Sequence, residues 1–326
     1  MGDVTRTDWI WMDGEFVAWE DARIHILTHT MHYGYGAFEG TRAYKRSDGG
    51  TSVFRLDDHL GRLANSSHIL QLPLPFSREE IRAATLELLK RNKLESCYIR
   101  HLVYIGQGAM GLNPGDNPVR LAISTWPWGA YLGEEGLAKG VRCKISSFTR
   151  PFPNSLMTKA KVVGNYVNSI LAKREAISLG YDEALLLDLD GNVAEGSGEN
   201  LFMVRNGKIY TPPLNNVLEG VTRRSIMELA EWKGHTLEER GFTRDEVYTA
   251  DELFMTGTAA EVTPIREVDD RQIGNGKPGP ITRDLQDTFF AIIAGDVPEW
   301  SHWLVDVPMA ARASDQDSKA TSAAAS

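Results

Sequence analysis

Lys161-Val162-Val163-Gly164-Asn165-Tyr166 is the stretch of this 326-residue chain from which the rest can be interpreted. A lysine becomes an amine nucleophile when a packed site lowers its pKa, and it then forms a Schiff base with an aldehyde or ketone. Here apolar residues, a glycine and an aromatic hydroxyl follow the lysine closely. Lys159 lies two positions earlier, and extended backbone would place both lysines on one face. Periodicity therefore leaves both as candidates.

Three further stretches follow in order along the chain. They are Ala194–Phe202 (AEGSGENLF), Leu218–Arg223 (LEGVTR) and Met255–Pro264 (MTGTAAEVTP). The first holds Glu195 beside a glycine-rich turn, where backbone can approach a flat ring closely. The second places a glycine before an apolar-periodic helix, whose free N-terminal amides bind anions. The ordered set predicts a site for a phosphate-bearing cofactor that forms a Schiff base.

Bulk composition is that of an ordinary globular protein. With 42% hydrophobic and 24% charged residues the chain can bury a substantial core, and its length suggests about two domains. The net charge of −9 argues against nucleic acid as a partner. Cys97 and Cys143 lie beside apolar residues, which favours reduced thiols over a disulfide. No stretch is apolar enough to span a membrane, so we expect a soluble cytoplasmic protein, and we assign no metal ligands.

Strand and helix signals are mixed, without the regular alternation of a doubly wound sheet, so the pattern predicts an α+β protein. Asp57 is expected to cap a helix that runs to Leu70, and Ser77–Glu80 is a capping box that opens the next helix. Glycine and aromatic residues after Trp126 indicate a connection between domains. We expect a small N-terminal α/β domain at 1–127, an interdomain loop at 128–140, a large C-terminal domain at 141–308 and a disordered tail at 309–326.

The four motifs resemble those of the fold-type IV pyridoxal phosphate enzymes, the class IV aminotransferases, and the likeness covers nearly the whole chain. Within that class, other stretches resemble the branched-chain amino acid aminotransferases: Met31–Gly34, Phe38–Gly40, Tyr98–Arg100, Met110–Pro114 and Trp128–Tyr131. The resemblance implies a two-domain fold like that of D-amino acid aminotransferase, with a sheet or barrel-like core and helices in each domain. It also implies pyridoxal 5′-phosphate as cofactor and a homodimer, with a trimer of dimers as a further option.

Position within the family motifs implies the roles at the cofactor. The spacing to Gly164-Asn165-Tyr166 matches from Lys161 and not from Lys159, so Lys161 is expected to be the Schiff-base lysine and the general acid and base. Tyr166 would hydrogen-bond the phenolic oxygen of the cofactor, and Glu195 its ring nitrogen. The implied cofactor-binding residues are Arg62, Lys161, Tyr166, Glu195, Leu218, Gly220, Val221, Thr222, Gly257 and Thr258.

The resemblance also implies a mostly apolar substrate pocket, which suits leucine, isoleucine and valine. Its expected residues are Tyr33, Phe38, Gly40, Tyr98, Arg100, Met110, Leu112, Trp128, Tyr131, Thr258, Ala259 and Ala260. By the family pattern, Tyr33, Met110 and Leu112 come from the neighbouring subunit. Arg100 with Tyr98 would meet the distal carboxylate of glutamate by charge-assisted hydrogen bonds. The implied reaction is transfer of an amino group between branched-chain amino acids and 2-oxoglutarate.

Three alternatives stay open at this point. The same fold hosts D-amino acid and (R)-amine transaminases. The evidence against these consists of the stretches Tyr98–Arg100 and Met110–Leu112, which favour the branched-chain resemblance. It also hosts an aminodeoxychorismate lyase, which the aromatic connection at Trp126–Tyr131 disfavours. A non-catalytic binding protein on an inherited fold is the third, and a Schiff-base lysine together with a ring-nitrogen carboxylate argues against it.

Overall fold

The structure, a computed structural model, describes residues 4–308, in which helices and strands are mixed as predicted and the strands form two sheets. The strands are β1 Trp9–Met12, β2 Glu15–Ala18, β3 Gly36–Lys45, β4 Thr51–Phe54, β5 Cys97–Ile105, β6 Val119–Trp126, β7 Val141–Thr149, β8 Glu183–Leu187, β9 Val193–Gly196, β10 Asn200–Arg205, β11 Lys208–Thr211, β12 Leu237–Glu239, β13 Glu252–Gly257, β14 Glu261–Val268, β15 Arg271–Gln272 and β16 Leu304–Asp306. The α-helices are α1 His29–Tyr33, α2 Leu56–Ile69, α3 Arg78–Arg91, α4 Gly133–Lys139, α5 Tyr166–Ser178, α6 Val221–Trp232, α7 Arg244–Tyr248 and α8 Pro280–Ile293. The predicted tail at 309–326 lies outside the described residues. Within 4–308, no helix combines the length and apolarity needed to cross a bilayer.

The first sheet is antiparallel and has the strand order β16-β4-β3-β5-β6-β1-β2. In its centre, Gly40 pairs with Arg100 and Phe38 with Leu102, so these four residues share one face. Glycine is required at position 40, because a Cβ atom there would lie 1.7 Å from the hydroxyl of Tyr98. Sequence reasoning did not find β3, since its glycines and charged residues interrupt the apolar alternation by which a strand is recognised.

Helices α2 and α3 cover the other face of this sheet. Leu60, Leu63 and Leu88 are at most 1% exposed, and burial of each such side chain contributes roughly 1.5–3 kcal/mol. Helix α3 begins with the predicted capping box. The predicted cap of α2 is wrong: Arg55, with φ at 47°, precedes the helix, and Asp57 lies in its first turn, where a negative charge favours the helix dipole.

The second sheet closes on itself. Strands β10, β13, β14, β7, β8 and β9 pair in that order, and β9 pairs again with β10, so six strands form a barrel-like ring. The closing contact joins Glu195 to Asn200. Helices α6 and α8 pack against one side, where Phe202 stacks on Phe254 at 4.9 Å between ring centroids. The closed ring thus fixes the motif that carries Glu195.

The segment between β7 and α5 returns to the first sheet. Phe38 N donates to Lys161 O at 3.0 Å, and Lys161 N donates to Ser66 Oγ at 3.0 Å. Apart from one bridge between Ala37 and Val162, this segment is irregular. The expectation that Lys159 and Lys161 share a face of a strand is therefore wrong.

Candidate active site

A cavity of about 470 Å³ is lined by residues of both sheets and of the loops between them. Its lining residues are Phe38, Gly40, Arg62, Tyr98, Arg100, Leu102, Trp128, Tyr131, Lys161, Val163, Tyr166, Gly198, Glu199, Asn200, Leu218, Gly220, Val221, Thr222, Thr256, Gly257, Thr258 and Ala259. Most residues expected at the cofactor and the substrate are therefore in one place. Glu195 lines a smaller adjoining cavity, which shares Lys161 and Tyr166 with the first.

Four expected substrate residues lie outside this lining. Ala260 is buried, with 2% exposure, next to the cavity residue Ala259. Tyr33, Met110 and Leu112 are 43%, 42% and 92% exposed, on α1 and on the loop between β5 and β6. Apolar side chains with such exposure are compatible with a role at a subunit contact.

Lys161 presents its amine to the cavity in apolar surroundings. Its Nζ lies 2.6 Å from Tyr166 Oη, and 5.0 Å and 5.1 Å from the ring centroids of Phe38 and Tyr166. Burial, helped by the nearby charge of Arg62, lowers the pKa of Lys161 to about 8. Part of this amine is thus neutral near neutral pH, as a nucleophile or a general base requires.

The competing lysine has a different environment. Lys159 Nζ donates to the backbone carbonyls of Leu214 and Val217, and its side chain does not line the cavity. Burial lowers the pKa of Lys159 as well. Its hydrogen bonds nevertheless engage the amine with the loop that leads to α6, so the geometry separates two lysines that periodicity could not.

Glu195 is a buried carboxylate with an arginine partner. Arg150 Nη2 lies 2.7 Å from Glu195 Oε1, and Asn200 Nδ2 and Leu218 N donate to Oε2 at 3.3 Å each. Burial raises the pKa of Glu195, while the charge of Arg150 and the amide of Leu218 act in the opposite direction. Both carboxylate oxygens therefore have donors that stabilise the charged form.

The opposite end of the cavity suits an anion. Val221 and Thr222 begin the twelve-residue helix α6, so their backbone amides have no acceptor within the helix. Arg62 lines the same end and donates from Nη1 to Glu219 O at 2.8 Å. The buried hydroxyl of Thr256 has no hydrogen-bond partner among residues 4–308. The free amides of α6 and the guanidinium of Arg62 can donate hydrogen bonds to the oxygens of a phosphate.

The remaining wall is aromatic. Tyr98 contacts Trp126 and Trp128, with ring centroids 5.1 Å and 4.7 Å away, and Trp128 contacts Tyr131 at 5.6 Å. Arg100 lies over the ring of Phe38, with Cζ 4.6 Å from the centroid. This wall accepts apolar side chains and holds a single arginine above them.

Some residues at the site were not found from the sequence. Glu199, Asn200 and Thr256 lie inside the quoted motifs, and that position could have suggested them. Burial raises the pKa of Glu199 to about 8, and the nearby Glu183 contributes to that effect. Arg150 had no local signal, because its partner Glu195 is remote along the chain.

Comparison with known proteins identifies the family. The family described as amino-transferase class IV matches residues 36–268. The chain therefore belongs to the class IV aminotransferases, as its motifs and fold predicted.

Individual relatives narrow the likeness. The chain is 51% identical over 303 residues to the branched-chain-amino-acid aminotransferase of Pseudomonas aeruginosa, covering 93% of this chain and 98% of that protein. The structure of the Escherichia coli branched-chain amino acid aminotransferase has a TM-score of 0.91 at 42% identity, covering 93% and 100% of the two chains. The structure of the T.th. branched-chain amino acid aminotransferase, complexed with N-(5'-phosphopyridoxyl)-L-glutamate, has a TM-score of 0.89 at 46% identity, covering 93% and 99%.

Proposed function

We propose that this protein transfers the amino group of L-leucine, L-isoleucine and L-valine to 2-oxoglutarate, with pyridoxal 5′-phosphate as cofactor. The observation that carries the proposal is the amine of Lys161 between an anion-binding end and an aromatic wall. The relatives at 42–51% identity over nearly their whole length bear branched-chain aminotransferase names. The T.th. relative in complex with a phosphopyridoxyl-glutamate compound supports both the cofactor and an acidic substrate.

The side chains present fit this cofactor. Lys161 would hold its aldehyde carbon, Tyr166 its phenolic oxygen and Glu195 its ring nitrogen. Arg62, Thr258 and the amides of Val221 and Thr222 would hold its phosphate; Leu218, Gly220 and Gly257 would contact the rest. The free amides at the start of α6 and the guanidinium of Arg62 support the fit, since they are the donors that a phosphate requires.

When bound, pyridoxal 5′-phosphate supplies an electron sink for the carbanion at the substrate α-carbon. The protein supplies the proton transfer, in which Lys161 Nζ removes the α-proton and later returns a proton. Part of the amine is neutral and can act as a base, because burial lowers the pKa of Lys161 to about 8. Tyr166 Oη, 2.6 Å from Nζ, orients the amine. The ionised Glu195, held by Arg150, favours a protonated ring nitrogen and so strengthens electron withdrawal.

One pocket would accept two kinds of side chain. Phe38, Trp128 and Tyr131 would contact the apolar side chain of leucine, and Arg100 the distal carboxylate of glutamate. Arg100 is suited to this because it lines the cavity, its Nη2 makes only a long contact of 3.5 Å with Tyr98 Oη, and no carboxylate among residues 4–308 pairs with it. Gly40, Tyr98, Ala259 and Ala260 would complete the substrate pocket.

The assembly and the location are also proposals. Exposed Tyr33, Met110 and Leu112 support a homodimer in which these side chains complete the neighbour's pocket, alone or as a trimer of dimers. The buried free thiols of Cys97 and Cys143 support a cytoplasmic location. Two sheets with hydrophobic clusters of their own support a division into two domains, proposed at 1–127 and 141–308. The end of the chain departs from these bounds, since β16 pairs with β4 in the first sheet and Val307 packs in the cluster of that sheet. Light scattering of the purified protein, with the variant Leu112→Glu, tests the assembly.

The test of function is a panel of amino donors with purified holoenzyme. L-leucine with 2-oxoglutarate should yield L-glutamate, while D-alanine and (R)-1-phenylethylamine should react far more slowly. Borohydride should bleach the cofactor absorbance and attach the cofactor to Lys161, as peptide mapping would report. Preferred turnover of D-alanine or of the amine would overturn the substrate assignment, and an unlabelled Lys161 would overturn the site.

A further inference from the structure

Glu39 is fully buried on β3 and has no part in the reaction described above. Its neighbours Phe38 and Gly40 face the cavity, so its own side chain points to the opposite face, toward α2. There it binds Arg62, from Nε to Oε1 at 2.6 Å and from Nη2 to Oε2 at 2.9 Å. Two parallel bonds of this kind fix the plane of the guanidinium as well as its position.

Two more donors hold the carboxylate itself. His59 Nδ1 lies 2.8 Å from Glu39 Oε2, and Gly40 N donates to the same oxygen at 3.3 Å. Burial lowers the pKa of His59 although Glu39 opposes this, so the neutral ring donates its Nδ1–H to the carboxylate. Burial alone would raise the pKa of Glu39, but the charge of Arg62 and these hydrogen bonds hold it well below its usual range. Glu39 is therefore a fixed anion at every working pH.

These contacts decide which donors Arg62 offers to a ligand. A guanidinium has five N–H groups. Within residues 4–308, two are bound by Glu39 and one by Glu219 O, which leaves one N–H on each Nη atom. Arg62 lines the cavity, and a pair of N–H groups on neighbouring nitrogens matches two oxygens of one phosphate.

The same guanidinium reaches the other half of the anion-binding end. Glu219 directly precedes Gly220, the residue that caps α6, so the bond from Arg62 Nη1 to Glu219 O holds the start of that helix. Glu39 on the first sheet is thus linked through one side chain to the amides of Val221 and Thr222. The cation and the helix N-terminus keep one relative position because of this link.

We infer that Glu39 is a positioning residue for the cofactor phosphate, which orients Arg62 and, through Glu219, the start of α6. The inference rests on the proposed function for the identity of the phosphate-bearing ligand. A purely structural role would affect every ligand of the cavity equally. A positioning role would affect ligands that carry the phosphate more than ligands that lack it. The charge of Glu39 also raises the pKa of Lys161, but loss of that charge would act on both kinds of ligand alike.

The experiment compares two probes, pyridoxal 5′-phosphate and pyridoxal, which lacks the phosphate. Both are titrated into apoprotein made from holoenzyme, and the dissociation constants are read from absorbance and tryptophan fluorescence. Glu39→Gln should weaken pyridoxal 5′-phosphate about 10- to 100-fold, as does the loss of residues that orient the ligands of bound metals. Its affinity for pyridoxal should fall much less, because any effect of the lost charge on Lys161 is common to both probes.

Two further variants make the outcome decisive. Glu39→Asp keeps the charge but is too short for both bonds to Arg62, so it should show a smaller loss specific to the phosphate, even if Glu39→Gln does not fold. Glu252→Gln is the control, because Glu252 is a buried carboxylate that accepts from Ile281 N and Thr282 N at the start of α8. It should leave the ratio of the two affinities unchanged.

Each failure has a distinct meaning. If Glu39→Gln and Glu39→Asp lose equal affinity for both probes, Glu39 has only a structural role and the inference is refuted. Unchanged affinities would refute it as well. If wild-type protein binds neither probe, the proposed function itself is refuted and the inference with it.

Discussion

Replacement of Arg100 by methionine should lower the rate of the glutamate half-reaction much more than that of the leucine half-reaction, although both use the proposed pocket. Methionine keeps the apolar stem of the side chain and removes the guanidinium. The guanidinium lies among rings that methionine would contact in its place, with Cζ 4.6 Å, 5.3 Å and 5.8 Å from the centroids of Phe38, Tyr98 and Trp126. Leucine would keep these apolar contacts in the variant, whereas glutamate would lose its ionic partner.

The expected magnitude follows from the donors of Arg100. Its Nε has no partner within residues 4–308, and its Nη2 makes one long contact of 3.5 Å with Tyr98 Oη. A carboxylate would thus gain charge-assisted bonds without breaking strong ones. Such a bond contributes about 1.5–3 kcal/mol, so kcat/KM for glutamate should fall about 10- to 160-fold. The kcat/KM for leucine should change by a few-fold at most, since the apolar surface of the leucine side chain stays buried against the same rings.

The assay is single-turnover absorbance of the cofactor with one amino acid at a time, so that each half-reaction is measured alone. Arg100→Lys is the control; it keeps the charge without the planar fork and should lose less for glutamate than Arg100→Met does. Equal losses for leucine and glutamate in Arg100→Met would refute the assigned role of Arg100.

Three other perturbations follow from the site. Lys161→Ala should lower transamination by about 10²-fold or more because it removes the general base, while Lys159→Ala should keep most of the wild-type rate in the same assay. The rate at which apoprotein forms a Schiff base with pyridoxal should rise with pH around a midpoint of about 8, since the reactive neutral amine predominates above the pKa of Lys161. A midpoint above pH 10 would contradict the buried environment described for Lys161. Arg42→Met should lower the free energy of unfolding by about 3–5 kcal/mol in urea titrations, because buried Glu261 loses its partner at 3.2 Å. Arg42→Met should also raise KM for leucine, since Arg42 donates to the carbonyls of Trp128 and Gly129 and so holds the loop that carries Trp128. An unchanged KM would show that these hydrogen bonds do not shape the pocket.

Contiguous motifs were the part of the site that could be predicted from sequence. Within Lys161–Tyr166, the helix start of α5 brings the tyrosine back over the lysine, so local geometry alone joins Nζ and Oη. The start of α6 was predictable for a similar reason, because a helix N-terminus exposes amides wherever it lies. Such features depend on neighbours in sequence and not on the fold of the whole chain.

Pairs that the tertiary structure brings together were not predictable. Arg150 meets Glu195 only because β7, β8 and β9 are adjacent in the closed ring. Strand β3 escaped notice because Gly40 and Arg42 serve the site and not the apolar alternation of a strand. The two lysines could be separated only once the path of the irregular segment was known.

The charges around the cavity support Lys161 as the proposed reactive amine. Three buried carboxylates near the cavity are paired with cations: Glu39 with Arg62, Glu195 with Arg150, and Glu183 with Lys173 at 2.5 Å. Each pairing stabilises the charged forms and so makes the cation a poor base. Among residues 4–308, Lys161 has no carboxylate within ion-pair distance, and its hydrogen bond is to a hydroxyl. The more distant charge of Glu39 offsets only part of the effect of burial and of Arg62 on its ammonium, so the pKa of Lys161 stays low at about 8.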